Sequence, residues 1–184
     1  MLIIEYSKAN QDIIKQVPNI LRESLDEEYF NYDDDGIYFL ITEYMKSGYK
    51  FYLLIRENNL IGLTATNSFN DNIYILSLCI SKEYRSKGCS RILLNFVEKL
   101  NKDKFNEIYL ECKEILIKYY ESNGYKLTND KRYIPTLCYC NLNNMNLKFL
   151  ESNFEEQKQY YKGIKLVRKI EGYHLYLMKK KIKE

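Results

Sequence analysis

Ile73 to Ile80 is an apolar, strand-like run, and it leads directly into Ser81, Lys82, Glu83, Tyr84, Arg85, Ser86, Lys87, Gly88, Cys89 and Ser90. From Arg91 the apolar positions change to a helical period. Ile92, Leu93, Phe96, Val97 and Leu100 fall on one face, with Asn95, Glu98 and Lys99 on the other. No other stretch narrows the fold so far, because a strand that enters a helix through a short loop implies a helix laid against a sheet. The junction also gathers what an anion needs. Free N–H groups of the first helical turn, the positive end of the helix dipole and the flanking Arg85 and Lys87 make a site for phosphate or pyrophosphate. The same residues also read as a polar connection capped by Ser or Gly.

The rest of the chain supplies the elements around that junction. Leu2–Tyr6 reads as a short first strand. Ile13, Ile14, Val17, Ile20, Leu21 and Leu25 give residues 10–25 helical periodicity, with a kink or fresh start expected at Pro18. An acidic stretch with Asp33, Asp34 and Asp35 precedes a second helix at about Ile37–Met45. Lys50–Arg56, Leu60–Phe69 and Ile73–Ile80 are three strands. Their turns are too short for a crossover, so they form an antiparallel meander. Phe105–Cys112 is a strand reached through the helix after Arg91, which predicts a parallel crossover. Glu114–Asn123 is a further helix stopped by Gly124. Beyond it, Tyr133–Cys140 reads as a strand, 146–161 as a helix and Tyr173–Ile182 as the closing strand.

Composition excludes more than it identifies. The chain has 184 residues, enough for one domain with a real core, and 46% of them are apolar. Net charge is +3, from 28 bases against 25 acids, which leaves no nucleic-acid footprint. The basic end, Lys179, Lys180, Lys181 and Lys183, reads as a solvated strand end. The 19 tyrosines carry little weight, because Lys, Asn, Ile and Tyr all have codons of A and T alone. Five cysteines, no signal peptide and no long apolar run predict a reducing, cytoplasmic setting and no membrane contact. Cys138 and Cys140 lack zinc-knuckle spacing, and His174 is the only histidine, so no metal site is expected. With no second histidine and no base near it, Cys79 is not expected to be a nucleophile.

The junction has a closer likeness. Ile80, Lys82, Tyr84, Arg85, Ser86, Lys87, Gly88 and Ser90 resemble, in register, the Val-x-Pro-x-Tyr-Arg-Gly-Lys-Gly-x-Gly signature of the GNAT family of N-acetyltransferases. Lys82, Ser86 and Ser90 depart from it. Ile117 to Tyr125 resembles the family's later Leu-Tyr-x-x-x-Gly-Phe motif, with Tyr120, Gly124 and Tyr125 in place; Lys113 and Leu116 stand where many members have Asn and Ala. The likeness is strong over Leu53–Tyr125 and extends to the first fifty residues by element order alone.

The resemblance implies a mixed α/β fold, a mostly antiparallel sheet with helices on both faces, as a single domain over residues 1–184. Residues 127–172 exceed the usual closing hairpin and are expected to be an insert. It implies acetyl-CoA as co-substrate, with no metal, and an amine as acceptor. Arg85, Ser86, Lys87, Gly88, Cys89 and Ser90 would hold the pyrophosphate. A bulge in the strand at Leu78, Cys79 and Ile80 would free backbone groups for the pantetheine arm. An N–H of Cys79 or Ile80 would then face the thioester oxygen. Tyr120 would protonate the leaving thiolate, with Tyr119 next in line, though Tyr120 also reads as the packing partner of Tyr125 under a Gly124 helix cap.

No general base stands out, with Glu43 and Glu111 as candidates. The acidic stretch of Asp26, Glu27, Glu28, Asp33, Asp34 and Asp35 would favour a cationic amine, or it is a solvated loop with helix-capping carboxylates. The chain is compatible with a monomer or a homodimer. A catalytically silent acyl-CoA-binding module and an unrelated α/β interaction domain are the rival readings.

Overall fold

A computed structural model describes residues 1–25, 33–69, 71–128 and 175–183. Among the described residues, seven strands form one sheet in the order β1-β2-β3-β4-β5-β7-β6. They are β1 (Leu2–Glu5), β2 (Lys50–Arg56), β3 (Asn59–Phe69), β4 (Asn72–Ile80), β5 (Glu107–Lys113), β6 (Lys126–Leu127) and β7 (Leu175–Lys181). All neighbours are antiparallel except β4 and β5, the parallel pair made by the predicted crossover. The strand expected at Tyr133–Cys140, the helix at 146–161, and Cys138, Cys140 and His174 lie outside the described residues.

The first helical segment is two helices, α1 (Gln11–Ile14) and α2 (Val17–Ser24). Pro18 makes this a fresh start, because in the first turn its missing N–H deprives no carbonyl of a partner. The second, α3 (Asp34–Lys46), begins earlier than its apolar pattern suggests. The carboxylate of Asp33 caps it by accepting the Gly36 N–H at 2.7 Å.

α2 and α3 bury Val17, Ile20, Leu21, Ile37, Leu40 and Ile41 on one face of the sheet, against Phe51, Leu53, Leu63 and Ala65. The other face carries α4 (Cys89–Asn101) and α5 (Ile117–Ser122), packed on Leu54, Ile75, Ile108 and Leu110. The buried stripe of α4 is turned relative to its apolar pattern. Cys89, Leu93, Leu94 and Val97 are buried, whereas Ile92 and Leu100 are 36% and 43% exposed. Leu94 displaces them because it reaches the β4–β5 side of the core.

Of the basic end expected to be solvated, Lys181 and Lys183 are exposed, whereas Lys179 and Lys180 are engaged with the fold. Lys179 Nζ lies 3.0 Å from Glu107, and Lys180 Nζ donates to Glu98 at 2.8 Å and to the Asn123 carbonyl at 2.9 Å. Lys180 also sits 5.6 Å above the Tyr125 ring. Through it α4, α5 and β7 are tied together at the end of α5.

Candidate active site

The site is built where β4 and β5 part. Their pairing runs from Asn72 and Glu107 to Ile75 and Leu110 and stops there. At the same level β4 is irregular against β3. Ala65 faces Ser77 and Thr66 faces Ile75, so Leu76 is an extra residue, a bulge that turns the strand away from β5. The expected irregularity therefore sits two residues ahead of Leu78. Thr64 supports it from β3, its hydroxyl donating to the Ser77 carbonyl at 2.9 Å.

Backbone alternation then decides which groups face the gap. Ser81 N–H bonds Ile61 O at 3.0 Å, so Cys79, two residues earlier, also turns its backbone groups toward β3. The N–H groups of Leu78 and Ile80 point the other way, where β5 has left. Of the two N–H groups expected from the sequence to face the thioester, that of Ile80 points into the gap and that of Cys79 toward β3. Cys79 itself is buried, which suits a packing residue.

Two residues with positive φ shape the loop into α4. Ser86 has φ 59° and Gly88, the N-cap, φ 77°. A Cβ on Gly88 would meet nothing within 4 Å, so the loop leaves open space over the helix end. No side chain caps α4 and no acid lies in its first turn, leaving the N–H groups there without intrahelical acceptors. Lys87 stands beside them with its ammonium 5.3 Å above the Tyr84 ring. Together these groups favour an anion. Ser90, where the family has its second glycine, accepts a 2.6 Å hydrogen bond from the Tyr119 hydroxyl and so links α4 to α5.

Arg85 turns two of its donors back onto the backbone. Its Nε donates to Ile80 O at 3.1 Å and its Nη2 to Glu23 O at 2.6 Å. Glu23 Oε2 accepts the Lys82 N–H at 3.0 Å, and the Ser24 hydroxyl approaches Ile80 O at 3.3 Å. The end of α2 thus clamps the exit of β4 and the start of the loop. Sequence reasoning missed Glu23 and Ser24, because nothing in their own segment marks a contact some 59 positions away.

Tyr120 is 7% exposed, with its ring 5.2 Å from Tyr119 and 5.8 Å from Tyr125. Gly124 has φ 86° and Tyr125 N–H bonds Tyr120 O at 3.1 Å, so the helix-cap packing read from the sequence is present. Burial pushes the Tyr120 phenol well above its ordinary range, and Cys112 on β5, Tyr119 and Cys79 on β4 raise it further. Tyr120 therefore stays protonated beside the ends of both parting strands. Tyr119 is the poorer proton donor, its hydroxyl being engaged with Ser90. Cys112 is held as a thiol, its pKa pushed to about 11 mainly by burial.

Of the two candidate bases, Glu43 pairs with Lys46 at 2.6 Å on α3. Glu111 stands one residue past the last β4–β5 pair. Of the acidic stretch, Asp33 caps α3 and Asp34 pairs with Arg22 at 2.6 Å, whereas Asp26, Glu27 and Glu28 lie outside the described residues. No group of three metal-ligating side chains occurs among the described residues, and no helix there is long and apolar enough to cross a membrane.

The family model for the acetyltransferase (GNAT) domain matches residues 32–142. The chain belongs to the GNAT acetyltransferase family. Solved GNAT structures share the fold. The chain is similar to the ribosomal-protein-S18-alanine N-acetyltransferase of Escherichia coli, with TM-score 0.62 and 12% identity over 100% of this chain and 94% of that one. It is similar to aminoglycoside 6'-acetyltransferase type Ii, with TM-score 0.64 and 17% identity over 99% and 97%. A GNAT acetyltransferase from Elizabethkingia anophelis with acetyl-CoA bound gives TM-score 0.57 and 15% identity over 98% and 97%. No curated protein matches the sequence.

Proposed function

We propose that this GNAT protein transfers the acetyl group of acetyl-CoA directly to a primary amine, with both substrates bound together. The observation that carries the reading is the alignment of three features: the β4–β5 gap, the open left-handed loop at the head of α4, and the protonated Tyr120 beside the gap. The acetyl-CoA bound to the Elizabethkingia anophelis relative supports the coenzyme. The pyrophosphate would rest on the loop N–H groups at Ser86–Ser90 with Lys87. The pantetheine arm would run along Leu78 and Ile80, and the Ile80 N–H would face the thioester oxygen as charge develops on it. Tyr120 would protonate the thiolate as the tetrahedral intermediate collapses. Holding the two reactants in contact supplies much of the rate.

Gly88→Glu tests the reading. The substitution sets a carboxylate in the open space over the helix end, so acetyl-CoA binding measured by calorimetry should vanish while the circular dichroism stays unchanged. Undiminished affinity would remove the coenzyme site from this loop. Tight binding with no turnover on a panel of amines would instead favour a silent acyl-CoA-binding module.

A further inference from the structure

β4 carries a hydroxyl with nothing to bind. Ser77 is 7% exposed, and its Oγ is buried without a hydrogen-bond partner. Buried polar atoms are nearly always satisfied, so one left open beside an active site calls for a ligand. The carbonyl of the same residue is held. Ser77 O takes the Thr64 hydroxyl, and Ala65, directly opposite on β3, offers only a methyl group.

Its position is as telling as its lack of a partner. Ser77 lies just past the bulge, where β4 has lost β5. Its face is that of its partner Ala65, of Leu63 and of Cys79, the α2–α3 side of the sheet. Cys79 is two residues further along, about 6.6 Å by strand rise. Cys79 is also one of the groups that act on the Tyr120 phenol from across the gap. A thioester carbon lying between would have the sulfur's proton donor on one side and Ser77 on the other.

Resting on the transferase reading, we infer that the Ser77 hydroxyl receives the acceptor amine. Its oxygen accepts a hydrogen bond from the amine N–H, which turns the nitrogen lone pair toward the thioester carbon. That lone pair forms the C–N bond while the carbonyl electrons move to oxygen. Their return breaks the C–S bond, the thiolate takes its proton from Tyr120, and the nitrogen gives its extra proton to solvent, which restores Tyr120. An amine and acetyl-CoA become an amide and the free thiol. The orphan hydroxyl is thus a stability cost retained for orienting the amine.

Ser77→Ala in the full chain separates this from a structural role, with three measurements against wild type. The thermal midpoint should rise by about 2–4 °C, because the substitution removes a buried unsatisfied group. The acetyl-CoA Kd should stay within about twofold. Thiol release with hydroxylamine as the probe nucleophile, corrected for the enzyme-free reaction, should lose about tenfold in kcat/KM for that nucleophile, the size of one hydrogen bond. KM for acetyl-CoA should not move. A lower midpoint would show that the hydroxyl has a structural partner, and an unchanged hydroxylamine rate would show that the amine is not received there; either overturns the inference. Wild-type protein that binds no acetyl-CoA, or binds it and releases no thiol, overturns the transferase reading itself and this inference with it.

Discussion

Arg85 reaches back over its own loop and holds the carbonyl oxygen of Ile80 at 3.1 Å. The same guanidinium bonds the Glu23 carbonyl, so the side chain braces the strand exit against α2. Lys87, two residues further along the same basic loop, has no such bond and only overlies Tyr84.

The two cations should therefore fail differently. Lys87→Ala should weaken acetyl-CoA binding by about 1–3 kcal/mol, as for a charged hydrogen bond, and leave binding of pantetheine without its nucleotide nearly intact. Arg85→Ala should weaken both ligands alike, because the backbone at Ile80 loses its brace, and should lower the thermal midpoint. Calorimetry with the two ligands distinguishes them. A loss confined to the nucleotide-bearing ligand for Arg85→Ala would return its guanidinium to the phosphates.

Gly88 isolates the cost of loop conformation. Its φ of 77° is unfavourable for any L-residue, yet a Cβ there would touch nothing. Gly88→Ala should then destabilise the fold by strain alone, about 1–2 kcal/mol, seen as a lower urea midpoint with an unchanged slope. A much larger loss would mean that the added methyl meets something in the folded chain.

Much of this was readable from the sequence, and the reasons divide cleanly. The meander, the crossover and α4 follow from hydrophobic period and turn length, and Pro18 marks the break between α1 and α2. The bulge at Leu76 left no trace, because one extra residue in an apolar run such as Ile75–Leu76 does not disturb a pattern that tolerates either face. Likewise, the grip of Glu23 on Lys82 and the orphan state of Ser77 depend on partners that only the folded chain brings near. Arg85 shows the other limit. Its charge and register point to phosphate, and they give no hint that two of its donors go to the carbonyls of Ile80 and Glu23.

Glu107 gives the sheet an acid-sensitive fastening. The Tyr109 hydroxyl, and after it Lys179, holds its carboxyl below the ordinary 4.5, against the opposing effect of burial. A carboxyl with a lowered folded value adds stability above its unfolded pKa and loses it as pH falls through the folded one. The thermal midpoint should accordingly drop on acidification from about pH 5 downward, and Glu107→Gln should flatten that drop while lowering the midpoint at neutral pH. Parallel acid limbs in the two proteins would remove Glu107 from the account.

Tyr120 decides whether the site performs acid catalysis. Removing its hydroxyl as Phe keeps the ring that packs on Tyr119 and Tyr125, so the fold should hold and acetyl-CoA should still bind. General acid catalysis contributes about a hundredfold to ten-thousandfold, and Tyr120→Phe should lose turnover in that range. Because burial raises its phenol above the ordinary 10, Tyr120 keeps its proton across the working range. The wild-type rate should then climb as the amine loses its proton and show no falling limb up to about pH 10. Steady-state kinetics of both proteins over that range provide the measurement. Unchanged turnover in Tyr120→Phe would leave the residue as the packing partner of Tyr125 and pass the acid to Tyr119 or to water.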